Sequence, residues 1–331
     1  MNQPRLLVIS PVRDEAAFLA QTIESVAAQT VRPDLWIIVD DGSKDGSHRI
    51  VEQAMREHPW IRLVRRPDRG ERRVGGGVIE AFNEGLSQVD LDRFDYVCKL
   101  DGDLRFGPTC FQKLLDKFQA DPLLGTASGK CWERNGGAWV MLRTSDDFSL
   151  GACKFYRVPC FGQIGGLVAQ VMWDGIDCHR CRMLGWKARS FHDPDLRVYE
   201  LRPMGSSHKS IFHGRLRWGR GQYFMGTHPL YALALAGYRM FERPWLLGGL
   251  CILAGYLGGY LRRSGRYNDA EFRRYLRRWQ LARLRLAPMP SPGQARSGAG
   301  GLGPATALTS DGTGRMGENH DDLILPERTS P

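Results

Sequence analysis

Tyr96-Val97-Cys98-Lys99-Leu100-Asp101-Gly102-Asp103 begins as a short, mostly apolar run and ends at two aspartates around a glycine. The run reads as a buried strand, and the glycine lets the backbone turn tightly after it. Asp101 and Asp103 can then serve one centre. Two hard oxygen ligands beside such a turn suit a divalent cation carrying a phosphate. The same tripeptide also closes ordinary strands as an Asp-Gly turn, so its meaning depends on its neighbours.

Upstream the pattern recurs. Leu6-Leu7-Val8-Ile9 is an apolar strand that opens into a loop at Ser10-Pro11. Leu35-Trp36-Ile37-Ile38-Val39 is a second, ending at Asp40-Asp41-Gly42-Ser43, and residues 61–64 form a third. Between them, apolar residues recur at helical spacing at Phe18, Leu19, Ile23 and Val26, at Ile50, Val51 and Ala54, and at Val78, Ile79, Phe82 and Leu86. Alternating strands and helices predict a parallel sheet with right-handed crossovers. Ligands bind beyond the carboxyl ends of such strands, and three of these ends are polar: residues 10–15, 40–43 and 101–103. Carboxylates from separate loops converge on one edge.

No Walker pattern is present. Gly75-Gly76-Gly77 does not directly follow a strand, so it reads as a loop and helix start near the ligand rather than a dinucleotide fingerprint. Arg65, Arg66, Arg69, Arg72 and Arg73 crowd this region, either as a solvated basic loop or with one or two of them on a diphosphate.

Three motifs together resemble the family 2 glycosyltransferases: Ile9-Ser10-Pro11-Val12-Arg13-Asp14-Glu15, Val39-Asp40-Asp41-Gly42-Ser43-Lys44-Asp45-Gly46-Ser47 and Leu100-Asp101-Gly102-Asp103. The likeness covers about residues 4–225 and implies an α/β fold of the GT-A type, a Rossmann-like sandwich. It implies an inverting, metal-assisted transfer from a nucleotide-sugar to a lipid-linked or cell-surface glycan acceptor. It assigns the donor to Pro11, Arg13, Glu15, Asp40, Asp41, Ser43, Arg72 and Asp101. Mg²⁺ or Mn²⁺ falls to Asp103 as the most direct ligand, with Asp101 beside it and His208 as a further candidate. The acceptor's base falls in Met172-Trp173-Asp174-Gly175-Ile176-Asp177, where the usual Glu-Asp pair is not intact. Asp174 and Asp177 both qualify, and Asp174 also suits a helix N-cap. A sugar-1-phosphate nucleotidyltransferase fits less well, because residues 10–15 lack the glycines that a triphosphate loop needs. A catalytically degenerate nucleotide-sugar-binding protein at the membrane is the non-enzymatic alternative.

Past residue 228 the chain changes character. Residues 1–228 read as the GT-A domain, residues 229–286 as an apolar helical hairpin plus a basic amphipathic helix, and residues 287–331 as a disordered tail rich in Gly, Pro, Ser and Thr. Residues 245–261 are uncharged and at the lower limit for a membrane span; Arg262, Arg263 and Arg266 follow. A helical or re-entrant hairpin suits them better than one complete crossing, and a buried hairpin is the alternative. From Asn268 to Leu286, arginines alternate with Phe272, Tyr275, Leu276 and Trp279 in a pattern suited to an anionic membrane surface or to packing on the core.

The whole chain has 331 residues and a formal net charge of +10, which suits phosphorylated ligands or an anionic membrane. Nucleic acid is not expected as a partner, since no recognised module accompanies the basic helix. Eight scattered cysteines behind a short polar start predict reduced thiols and a place at the cytoplasmic face of the cell membrane. Cys178-His179-Arg180-Cys181 has half a zinc spacing without a second half.

Overall fold

The computed structural model describes residues 4–70, 75–202, 211–242 and 244–291. Arg72, His208 and the tail from residue 292 lie outside the described residues.

The first half alternates as its apolar spacing predicts: β1 (Leu6–Val12), α1 (Leu19–Ala27), β2 (Leu35–Asp40), α2 (Ser47–Glu57), β3 (Ile61–Arg65), α3 (Gly76–Leu86) and β4 (Tyr96–Leu100). Then come β5 (Leu104–Phe106), α4 (Cys110–Ala120), β6 (Leu124–Gly129), β7 (Cys131–Asn135), β8 (Ala138–Met141), β9 (Cys153–Arg157), α5 (Val158–Gln163), α6 (Trp173–Met183), β10 (Lys187–Phe191) and β11 (Val198–Glu200). Four helices follow: α7 (Ile211–Met225), α8 (Pro229–Arg239), α9 (Trp245–Leu261) and α10 (Ala270–Arg283).

Seven strands form the main sheet in the order β10-β6-β9-β4-β1-β2-β3. Its centre is buried on both faces, as continuous apolar runs require. Leu6 and Val8 of β1 join one core cluster, while Leu7 and Ile9 point to the other. The sheet departs from the all-parallel expectation at one strand. β9 lies antiparallel between β4 and β6, so the sheet is mixed. A smaller sheet, ordered β5-β11-β7-β8, sits beyond the end of β4.

The helix over residues 245–261 forms as its spacing suggests, but among the described residues no helix is long and apolar enough to cross a membrane. Instead α9 packs closely on α7. A Cβ on Gly219 would lie 1.9 Å from the Ile252 carbonyl oxygen, and one on Gly255 would lie 2.1 Å from that of Leu216. The amphipathic reading of α10 holds, but its apolar stripe is already used. Phe272 and Leu276 are fully buried against Ile176 of α6 and Met225 of α7. The deepest apolar residues of α10 are thus spent inside the protein.

Candidate active site

The carboxyl ends of β1, β2 and β4 meet at one edge of the main sheet, since β1 lies between the other two. The first two loops are laced together. Ser43 Oγ accepts from the Asp14 N–H at 3.0 Å, Ser47 Oγ from the Glu15 N–H at 2.9 Å, and Asp45 Oδ2 from the Ala16 N–H at 2.8 Å. In return the Lys44 N–H donates to Asp14 Oδ1 at 2.8 Å. The hydroxyls and carboxylates of the Ser43–Ser47 motif therefore shape the first loop. Ser43 acts as a brace here, whatever else it touches. Gly42, at φ 76°, is required because a Cβ there would sit 2.5 Å from Asp68 Cα.

Asp40, Asp41 and Glu15 are buried and each is met by arginine. Asp40 is 1% exposed, accepts from the Ser43 N–H at 2.9 Å and lies 3.8 Å from Arg65 Nε. Asp41 pairs with Arg66 at 2.7 Å and with Arg69, which also reaches Glu80. Arg13 donates to the Asp41 carbonyl at 2.5 Å and to Asp68 at 2.7 Å. Lys44, the Gly70 N–H and Arg13 hold the Asp68 carboxyl well below its usual range. Arg13 and Pro11 stand at the expected edge, and Glu15 is buried beneath it, ion-paired with Arg202. Arg202 bridges to the third loop as well, its Nε 3.5 Å from Asp103 Oδ2.

At that third loop, Gly102 packs under the first: a Cβ there would come 3.1 Å from Val12 and 3.4 Å from the Glu15 side chain. Burial, reinforced by the neighbouring Asp101 carboxylate, pushes the Asp103 carboxyl up to about 6. Glu200, at the end of β11, faces the same pair. Burial and the Asp101 and Asp103 charges push it up to about 8. Such mutual repulsion is what a divalent cation relieves, and the donors are hard oxygens, so this turn fits Mg²⁺ or Mn²⁺. Among the described residues no three His, Cys, Asp or Glu side chains form a complete cage. Asp101 and Asp103 would therefore share the ion with phosphate oxygens and water.

Lys99 joins this centre to α6. Its ammonium is 2% exposed, pairs with Asp101, donates to the Gly151 carbonyl at 2.9 Å and lies 5.3 Å from the Trp173 ring centroid. A Cβ on Gly151 would be 3.7 Å from Asp174 Cβ. Asp174, in the first turn of α6, thus stands beside the Asp101 cluster. Burial raises its pKa, with the Lys154 ammonium pulling against that rise.

Asp177, the other candidate base, is placed elsewhere. It is 2% exposed, and its carboxylate accepts from Lys154 Nζ at 2.7 Å and from the Tyr156 hydroxyl. Burial works against the Lys154 charge, but Asp177 beside it holds the ammonium above its ordinary range. Both Asp177 oxygens are thus engaged inside the protein, tying α6 to β9. The two cysteines of the same helix are also interior: Cys178 Sγ lies 3.4 Å from Lys154 Nζ, and Cys181 Sγ lies 3.4 Å from Cys160 Sγ.

Sequence reasoning gave no role to Lys99, Lys154, Glu200 or Arg202. A lysine inside an otherwise apolar strand, next to an acidic turn, was the signal available for Lys99. Nothing local marks Arg202, whose partners are 187 and 99 residues away along the chain.

Residues 7–163 match the family described as Glycosyl transferase family 2. Among curated proteins, the chain is 23% identical over 239 residues to the beta-monoglucosyldiacylglycerol synthase of Synechocystis, covering 66% of this chain and 48% of that protein. It is 25% identical over 141 residues to the poly-beta-1,6-N-acetyl-D-glucosamine synthase of Staphylococcus aureus, covering 42% and 32%. The chain thus spans about half, or less, of these relatives' lengths. Among solved structures, the mannosyltransferase PcManGT from Pyrobaculum calidifontis, in complex with GDP-Man and Mn²⁺, superposes with a TM-score of 0.51 at 18% identity, over 83% of this chain and 84% of that one. GalNAc-T7 with UDP, GalNAc and Mn²⁺ gives a TM-score of 0.54 at 14% identity, over 87% and 59%. These likenesses establish a mixed α/β fold of the GT-A kind. Residues 7–163 thus form a domain that matches glycosyl transferase family 2.

Proposed function

We propose that this chain transfers a sugar from a nucleotide-sugar to a glycan or lipid-linked acceptor, with inversion at the anomeric carbon. The observation that carries this is the gathering of three acidic strand-end loops at one sheet edge, with Asp174 near enough for the charge of Lys99, the partner of Asp101, to act on it. Relatives named for lipid and polysaccharide synthesis support it, as do neighbours in fold holding nucleotide-sugar and Mn²⁺.

In this reading the loops at residues 10–15 and 40–43 hold the nucleoside. Arg66 and Arg69, which otherwise neutralise Asp41, stand within the same loop system to meet the diphosphate. Asp103 and Asp101 would hold Mg²⁺ or Mn²⁺, which supplies Lewis-acid neutralisation of the leaving diphosphate. Asp174 accepts the acceptor hydroxyl's proton as that oxygen bonds to the anomeric carbon and the carbon–diphosphate bond breaks. Its raised pKa makes it a stronger base than an ordinary aspartate once ionised. Buried Lys99 orients Asp101 and keeps the cluster's net negative charge in check.

The test is release of nucleoside diphosphate from a panel of sugar nucleotides with Mn²⁺, comparing wild type with Asp103→Ala. Release by wild type and near-complete loss in the variant is the expected result. Equal release by the two sinks the mechanism.

A further inference from the structure

A run of exposed apolar side chains belongs to none of the machinery above. It lies on α8 and α9, which pack against one another where a Cβ on Gly249 would meet the Ala236 carbonyl oxygen at 2.3 Å. α9 turns four of its five glycines inward: Gly248, Gly249, Gly255 and Gly259 are buried with Ile252 and Tyr256. Its outward stripe is Leu246, Leu250, Ala254, Leu257 and Leu261, exposed residues at intervals of three and four with no charge among them. α8 does the same with Leu230, Leu233, Ala234 and Tyr238. Phe241 and Trp245, in and just after the connection, are 80% and 60% exposed. A water-facing helix normally reverses this arrangement.

The rim of this surface is cationic. Arg262, Arg263 and Arg266 follow directly on Leu261, and among the described residues none of them pairs with a carboxylate. Tyr223, Tyr260, Leu261, Arg263 and Arg266 line a cleft at the end of α9. There the Arg266 guanidinium lies 4.6 Å from the Tyr223 ring centroid. Two arginines and two aromatic rings beside a leucine stripe match a phosphate headgroup above acyl chain. With 17 residues, α9 is about 25 Å long. That is shorter than the roughly 30 Å hydrocarbon core. It is also fastened to α7 by backbone approaches that a crossing helix would have to give up.

We propose that the α8–α9 face is a membrane-docking surface that lies in one leaflet of an anionic bilayer without crossing it. Its leucines and aromatics enter the headgroup–acyl boundary, and Arg262, Arg263 and Arg266 engage lipid phosphates. Of the two membrane elements expected from the sequence, this assigns the contact to the hairpin, since the buried apolar residues of α10 face the protein, and it fits the cytoplasmic leaflet, where anionic lipid is exposed.

Co-flotation of the full chain with phosphatidylcholine vesicles, and with vesicles enriched in phosphatidylglycerol, tests the proposal. Wild type floats with the anionic vesicles and far less with the neutral ones. Leu250→Glu with Leu257→Glu, and separately Arg262→Glu with Arg263→Glu, each reduce flotation at least about tenfold. Both variants keep wild-type circular dichroism and, because they lie outside the transfer site, wild-type diphosphate release. Failure of the proposed chemistry is therefore read separately from failure of docking. Wild type that does not float, or floats equally well with the leucines replaced, overturns the proposal. So does light scattering that shows a two-copy mass reduced to one copy by the leucine replacements, which makes the face a self-association surface.

Discussion

Asp174 and Asp177 differ by three positions in the chain and by almost everything else. Asp174 is coupled to the strand-end cluster, while Asp177 is locked to Lys154 and Tyr156. Replacement should separate them. Asp174→Asn is expected to lower turnover by roughly 10²–10⁴-fold with nucleotide affinity retained. Asp177→Asn leaves a buried ammonium without its counter-charge and is expected to cost about 3–5 kcal/mol of stability in urea unfolding. A variant pair with the reverse pattern would reverse the assignment. Proton competition belongs to this scale too. The Asp103 carboxyl, raised to about 6, must lose its proton to hold a cation. Mn²⁺ binding measured by calorimetry should therefore strengthen as pH climbs through that value, and no change across it would remove Asp103 from the ligand set.

Helix pairs carry their own tests. The close approach of α7 and α9 depends on Gly255, so Gly255→Ala forces the helices apart and is expected to destabilise by about 1–3 kcal/mol. Gly258, three residues on in the same helix, has nothing within 4 Å of the place a Cβ would take. Gly258→Ala should instead stabilise by about 0.5–1 kcal/mol, because alanine gives up less backbone freedom on folding. Unfolding of the two variants side by side checks both signs. Legibility divides at this scale as well. β1, β2 and α9 were readable because uncharged apolar runs dominate them, and β3 and β4 because they continue the strand–helix alternation. β9 was not, because Lys154 sits in its middle and is buried only through an aspartate from α6. α10 showed its amphipathic period but not its partner, since a period specifies a face and not what covers it.

Across the whole molecule, the loops at the sheet edge could be foreseen once strand–helix alternation was read, because that topology puts successive strand ends on one side. The small sheet could not. Its strands are three to five residues long, three of the four carry charges, and one of them supplies Glu200. Glu200 gives the folded state a pH dependence. Its carboxyl is raised from 4.5 to about 8, so between those values the folded chain holds a proton that the unfolded chain has released. Stability should therefore fall as pH rises across that window. Thermal unfolding over the range should show the decline, and Glu200→Gln should flatten it; an unchanged slope would clear Glu200 of the effect.

The antiparallel strand β9 also bears on how the chain is born. β3, β2, β1 and β4 are all complete by residue 100, yet the neighbour that covers the free side of β4 is residues 153–157. During synthesis the nascent sheet therefore waits through some fifty residues with one bare edge of amides and carbonyls, a template for stray pairing. Chains that stall on the ribosome between those points should be the ones that aggregate or recruit chaperones.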